Sequence, residues 1–248
     1  MKKSLLLLIV SLVSITSISS VNALETNDTI TNQSGVVIPV DKYNALKSIY
    51  SDNFVNYITQ EEYNIIKDND LSKVEIKEVV DKTSDNKTIG SRAQEHTTPA
   101  KSLRIINNNG FVTMTLTWLQ VPKIKKYDVM AFRKNTSVNM ADFYFFKQYY
   151  QSGSNLILST DKEGLNFDNG VGATFKVQNG TDHEMELSMQ FSGTGRVYGS
   201  YQHASNSKAT LADAMNYTLS GSGYGGVILF DSSIESKFDG MGGVYLTL

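Results

Sequence analysis

Hydrophobic and polar residues alternate strictly in several short stretches of the chain. In FVTMTLTWL (111–119), Val112, Met114, Leu116 and Trp118 fall on one side and Thr113, Thr115 and Thr117 on the other. In EMELSMQF (184–191), Met185, Leu187, Met189 and Phe191 alternate with Glu184, Glu186, Ser188 and Gln190. VGATFKV (171–177) places Ala173, Phe175 and Val177 together. Neighbouring side chains of a strand leave opposite faces, so this period predicts antiparallel strands with one buried and one solvated face. Further strands are predicted at 101–107, 127–133, 142–150, 196–202, 216–220, 226–230 and 243–248. Asn109-Gly110, Asn169-Gly170, Asn179-Gly180 and Gly193-Thr-Gly195 punctuate them with residues that tolerate positive φ. About ten short strands with regular turns predict a mainly β fold over 99–248, an antiparallel β-sandwich or jelly-roll-like domain, with a closed barrel as the structural alternative.

The pattern differs upstream. Asp41 is placed to cap a short helix carrying Tyr43, Leu46 and Tyr50 on one face. Thr59-Gln-Glu-Glu62 reads as a capping box, with Ile58 and Tyr63 at hydrophobic-staple positions, predicting a helix over 60–67. Residues 24–80 thus read as an acidic, partly helical region. Residues 81–98 are poor in apolar residues and read as a linker. YITQEEYNIIKDND (57–70) resembles the N-terminal helical segment of uncharacterised secreted proteins of low-GC Gram-positive bacteria, which implies export and nothing about catalysis.

The first residues fit that resemblance. Met1-Lys2-Lys3, an apolar run from Leu5 to Ile18 and Val21-Asn22-Ala23 form a basic start, a hydrophobic centre and a small-residue cleavage site. A signal peptide over 1–23, cleaved after Ala23, predicts a secreted or extracellular protein with no transmembrane segment left after cleavage. The apolar run is too short and too serine-interrupted to span a bilayer comfortably.

Charge and cysteine content narrow the function classes. With 23 basic and 25 acidic residues the net charge is −2, which excludes a nucleic-acid binder relying on overall basic charge. Charge is uneven: residues 24–95 hold 13 acidic and 8 basic side chains, residues 96–248 hold 12 and 13. The absence of cysteine removes disulfides, thiolate ligands and a cysteine nucleophile together.

GSGYGG (221–226) matches the spacing of a dinucleotide-binding turn, but VILF follows it, and such a turn must open a helix. It therefore reads as a turn between strands, and no cofactor is expected. Of the three histidines, His96 lies in the linker and His183 in a polar turn, where solvation is expected. His203 ends a strand and is the candidate acid–base residue of a hydrolase, paired with a carboxylate. Asp161, Glu163 and Asp168 gather oxygen donors that calcium favours, although turn chemistry accounts for the same letters and no metal is expected. Glu184 and Glu186 share a strand face as a glycosidase pair would, on the side the alternation assigns to solvent.

ADFYFFKQYYQ (141–151) holds the richest binding signal. Its aromatic residues cannot all face one core, so Tyr144, Tyr149 and Tyr150 are candidate ligand-binding residues together with His203. Lys123, Lys125 and Lys126 form a basic turn. These features favour an exported, non-catalytic binding module whose partner is a cell-wall polymer, a glycan or a protein. The alternatives are a hydrolase built on His203 and a β-hairpin pore-forming toxin, the last suggested by Thr/Ser alternation.

Overall fold

A computed structural model describes residues 28–81, 100–220 and 227–248. Residues 1–23, read above as a signal peptide, His96, residues 82–98 of the expected linker and GSGYGG lie outside the described residues.

A hairpin of β1 (Thr29–Thr31) and β2 (Val37–Pro39) leads into helices α1 (Val40–Lys47), α2 (Asp52–Tyr57) and α3 (Gln60–Ile66). Pro39, with φ −54°, occupies the N-cap of α1, so Asp41 sits inside the first turn instead of capping it. Both halves of the Thr59 capping box form, and Ile58 and Tyr63 are buried as a staple requires. Ser51 caps α2 by accepting from Phe54 N.

The strands then follow: β3 (Glu75–Asp81), β4 (Lys101–Asn108), β5 (Phe111–Trp118), β6 (Tyr127–Lys134), β7 (Val138–Ser152), β8 (Asn155–Ser159), β9 (Gly164–Asn166), β10 (Gly170–Lys176), β11 (Thr181–Gly193) and β12 (Arg196–Ala204). A short helix α4 (Leu211–Met215), a hairpin of β13 (Tyr217–Leu219) and β14 (Ile228–Phe230), and β15 (Phe238–Thr247) complete the chain. Leu219 pairs with Ile228 across the GSGYGG segment, so a strand follows it, as VILF predicts.

One sheet has six strands in the order β3-β4-β5-β11-β7-β8, the other five in the order β15-β12-β6-β10-β9, with all pairings antiparallel. Between them lies the main core. Val112, Met114, Leu116, Trp118, Met185, Leu187 and Met189 from the first sheet meet Met130, Phe132, Ala173, Phe175, Val197 and Tyr201 from the second. The fold is a mainly β antiparallel sandwich preceded by a short helical region.

The face assigned to solvent is not solvated. Thr113, Thr115, Glu186 and Ser188 are buried. The helical region lies on that face, and its Leu46, Phe54, Val55, Ile58 and Ile66 form a second core with Ile106 of β4 and Phe111 of β5. Strand alternation reports two chemically different faces, but not whether the polar one meets water or another layer. The same happens on the outer side of the five-stranded sheet, where α4 and the β13–β14 hairpin cover Val129, Ala131 and Tyr198. The described residues thus form four layers.

Candidate functional site

Strand β7 separates the three candidate tyrosines. Tyr144 and Tyr150 share the parity of core-facing Phe146, whereas Tyr149 shares that of Lys147 and points under the helices. Tyr149 is fully buried and donates to Glu186 Oε2 at 2.8 Å, so it is not available to a ligand. Tyr150 is half-buried, its ring stacked on His183 with centroids 6.1 Å apart. It lines an open hollow of about 350 Å³ with Ile157, Ser159, Asp161 and Gln178.

Tyr144 is also half-buried and meets Phe167 edge to face at 5.7 Å, while Lys162 Nζ lies 5.4 Å from its ring centre. Phe167 joins Leu165, Asn166, Thr174, Met215 and Tyr217 around a second hollow of about 250 Å³. Leu165, Phe167 and Met215 are 38%, 46% and 47% exposed, a concentration of apolar surface beside the short edge strand β9. Sequence reading missed Phe167 and Met215 because Phe167 follows the three-residue β9 and Met215 ends the five-residue α4, both too short to show periodicity.

The calcium candidates are not brought together. Asp161, Glu163 and Asp168 are all exposed, and Asp161 accepts from Ser159 Oγ at 3.1 Å in a local turn. Among the described residues no group of three or more acidic or histidine side chains is arranged to hold a metal ion. In the basic turn, Lys123 is exposed and Lys125 donates to the Gly180 carbonyl at 2.7 Å.

His203 does meet a carboxylate. Gln202 of β12 pairs with Val129 of β6, which sets His203 beside Asp128 on the core face at one end of the sandwich. His203 Nδ1 lies 2.9 Å from Asp128 Oδ2, the Ala204 amide donates to Oδ1 at 2.9 Å, and the Tyr201 hydroxyl donates to Oδ2. Trp118 packs edge-on against His203 at 4.7 Å. Behind it, buried Lys101 bridges Asp81 at 3.0 Å and Asp239 at 2.9 Å. A carboxylate that fixes an imidazole is two-thirds of a triad. Yet His203 is 2% exposed and Asp128 0%, so the pair is walled in where a hydrolase needs a cleft. Trp118 Nε1 is buried beside this group without a hydrogen-bond partner.

His183, expected in a solvated turn, is buried instead, with Nε2 3.1 Å from the Gly180 carbonyl. Desolvation lowers its pKa and favours the neutral ring. The Tyr150 ring stacks on the imidazole and helps to close it off from water.

The other polar cluster joins the helices to β7 and β11. Lys147 Nζ meets Glu62 Oε2 at 2.5 Å, and that carboxylate oxygen also accepts the Thr59 amide at 2.8 Å. Ser51 Oγ donates to Glu184 Oε1 at 2.7 Å and lies 3.3 Å from Glu186 Oε1. Burial pushes the Glu186 carboxyl up to about 8, opposed by the nearby Lys147 charge. It also raises Glu184, and it holds the Tyr149 hydroxyl neutral. Glu184 and Glu186 are therefore partners of the helical layer, not a solvated strand face and not a carboxylate pair open to a sugar.

Comparison with protein-family models, curated proteins and solved structures gives no match to this chain.

Proposed function

We propose that this chain is an exported bacterial binding module, non-catalytic, that acts at the cell surface or in the medium and takes a glycan as its ligand. The carrying observation is the aromatic hollow beside β9. There exposed Phe167 stands at the rim, with Tyr144 packed edge-on against it and the Lys162 ammonium beside the Tyr144 ring, while the Asn166 and Thr174 side chains are tied to the Tyr217 and Ala214 carbonyls. Flat aromatic faces next to a few polar groups suit the apolar faces and hydroxyl edges of sugar rings. The leader-like residues 1–23 and the absence of cysteine support export.

A screen of the mature chain against glycans and wall polysaccharides tests this. Tyr144→Ala and Phe167→Ala are expected to weaken any captured ligand at least tenfold while leaving the unfolding midpoint nearly unchanged. Absence of glycan binding, or equal binding by both variants, overturns it.

The Asp128–His203 contact carries a second reading, a hydrolase, which requires this buried pair to become accessible to a substrate. It requires His203→Ala to abolish an ester- or glycoside-cleaving activity of the native chain. A native chain inactive on both substrate classes overturns it.

A further inference from the structure

At the end of the sandwich opposite His203, a row of cations and tyrosines crosses three strands in register. Arg133 of β6 pairs with Tyr198 of β12, and Tyr198 pairs with Tyr245 of β15. The Arg133 guanidinium carbon lies 4.2 Å from the Tyr198 ring centre, and the two tyrosine rings are 5.8 Å apart. Over Tyr245 lie the Arg196 guanidinium at 4.8 Å and, from β3 of the other sheet, Lys77 Nζ at 4.5 Å. Three cations thus bracket two rings, of which Tyr198 is buried and backs the row, while Arg133, Tyr245 and Lys77 are half-buried.

Strand pairing makes this row: residues opposite one another on neighbouring antiparallel strands share a face about 4.8 Å apart. Gly170 of β10 faces Arg133 on its far side, so no side chain from that strand covers the guanidinium. Stacking on a ring uses the flat face of a guanidinium and leaves its N–H edges pointing outward, the edges that grip oxyanions two at a time. Arg133 Nε is itself buried without a partner. Lys77 also pairs with Glu75 at 3.0 Å, but both side chains are more than a third exposed, so that ion pair holds the ammonium only weakly.

We propose that Arg133, Tyr245 and Lys77, with buried Tyr198 positioning the Arg133 guanidinium, bind a phosphate-bearing linear polymer laid across the strands. The choice of phosphate follows from the fork geometry: a guanidinium stacked on a ring presents paired N–H groups that match two oxygens of one phosphate, and a polymer offers a second phosphate to the Lys77 ammonium. Binding is carried by ion release as well as by direct contacts, so affinity falls as salt rises. The row is separate from the hollow beside Tyr144 and does not rest on the glycan reading.

Inorganic polyphosphate is the probe, with neutral dextran as control, titrated by fluorescence anisotropy at several salt concentrations. Arg133→Gln and Lys77→Gln are each expected to weaken polyphosphate about five- to tenfold, and to reduce the salt slope by about one. Lys123→Gln, in the basic turn at the other end, and Tyr144→Ala are expected to bind as the unaltered chain does. Thermal melts of each variant confirm folding. No binding by the unaltered chain at low salt overturns the proposal, as does equal weakening by Lys123→Gln. Polyglutamate binding as tightly as polyphosphate overturns the phosphate assignment.

Discussion

Tyr149 donates a hydrogen bond of 2.8 Å to Glu186 in a layer sealed between the helices and the six-stranded sheet. The pair sits among Glu62, Glu184 and Lys147, so three carboxyls share one ammonium in a region water does not reach. Three ionised carboxylates around one cation would leave uncompensated buried charge, which is costly. Keeping a proton on Glu186 relieves this, and the upward shift of its pKa expresses the same balance.

The pH dependence of stability follows from that shift. Glu186 has an ordinary value of 4.5 and is pushed up to about 8 in the folded chain. Its contribution is fully present below the unfolded value. Between the two values the unfolded chain gives up the proton while the folded chain keeps it, so stability declines as pH rises, and levels off above the folded value. Glu184, shifted in the same direction, adds the same sign. Urea unfolding at pH 5, 6.5 and 8 should show a loss of a few kcal/mol across this window (roughly 1.4 kcal/mol per unit at its steepest for one group). Glu186→Gln should flatten the profile; a profile parallel to the unaltered chain's would count against Glu186 as its source.

Lys147 is the cation that the whole cluster depends on. Lys147→Met leaves the 1% exposed Glu62 with hydrogen bonds but no counter-charge. Breaking a buried pair from one side costs about 3–5 kcal/mol, whereas removing both partners costs less. Denaturant melts of Lys147→Met, Glu62→Gln and the double variant should give a double variant more stable than the sum of the two single losses predicts. Simple additivity would mean that the two side chains do not interact.

Much of this architecture was legible in the alternation. Val112, Met114, Leu116 and Trp118 face the core as their spacing requires, and the Thr59 box starts α3 where four letters place it. What hid was partnership between distant segments. Nothing local to EMELSMQF says that Glu184 receives a bond from Ser51, 133 residues earlier. Nor does the letter pattern around Tyr149 distinguish a solvated face from one under a helix. The polar faces of β5 and β11 read as solvent-facing because period two fixes only which residues go together. The Asp128–His203 contact escaped for the same reason: it joins residues 75 apart through strand register.

His203 carries a structural load whatever else it does. It shares Asp128 with Tyr201 and the Ala204 amide, and it fills space against Trp118. His203→Ala should cost about 2–4 kcal/mol, from a cavity together with a lost charge-assisted hydrogen bond. Asp128→Asn, which keeps the shape but loses the charge, should cost less than Asp128→Ala. Calorimetric melts of the three variants check the order. Asp128→Asn at least as damaging as Asp128→Ala would mean that charge rather than packing dominates at this end.

Gly170 offers a sharper test of the sheet itself. A Cβ added there would meet the Phe132 carbonyl oxygen at 1.9 Å and its carbon at 2.8 Å. Both obstacles are backbone of the paired strand β6, so neither can swing aside as a side chain end would. Gly153 is the contrasting case: its φ is +64°, but a Cβ there meets nothing within 4 Å. Gly153→Ala then pays only for a left-handed conformation, about 1–2 kcal/mol. Gly170→Ala has to push β6 and β10 apart at the Arg133 position, breaking ladder hydrogen bonds, and should cost more, about 3 kcal/mol or above. Side-by-side thermal melts of the two variants decide it, with Gly170→Ala expected to melt well below Gly153→Ala. The reverse order would mean that β10 does not run this close to β6.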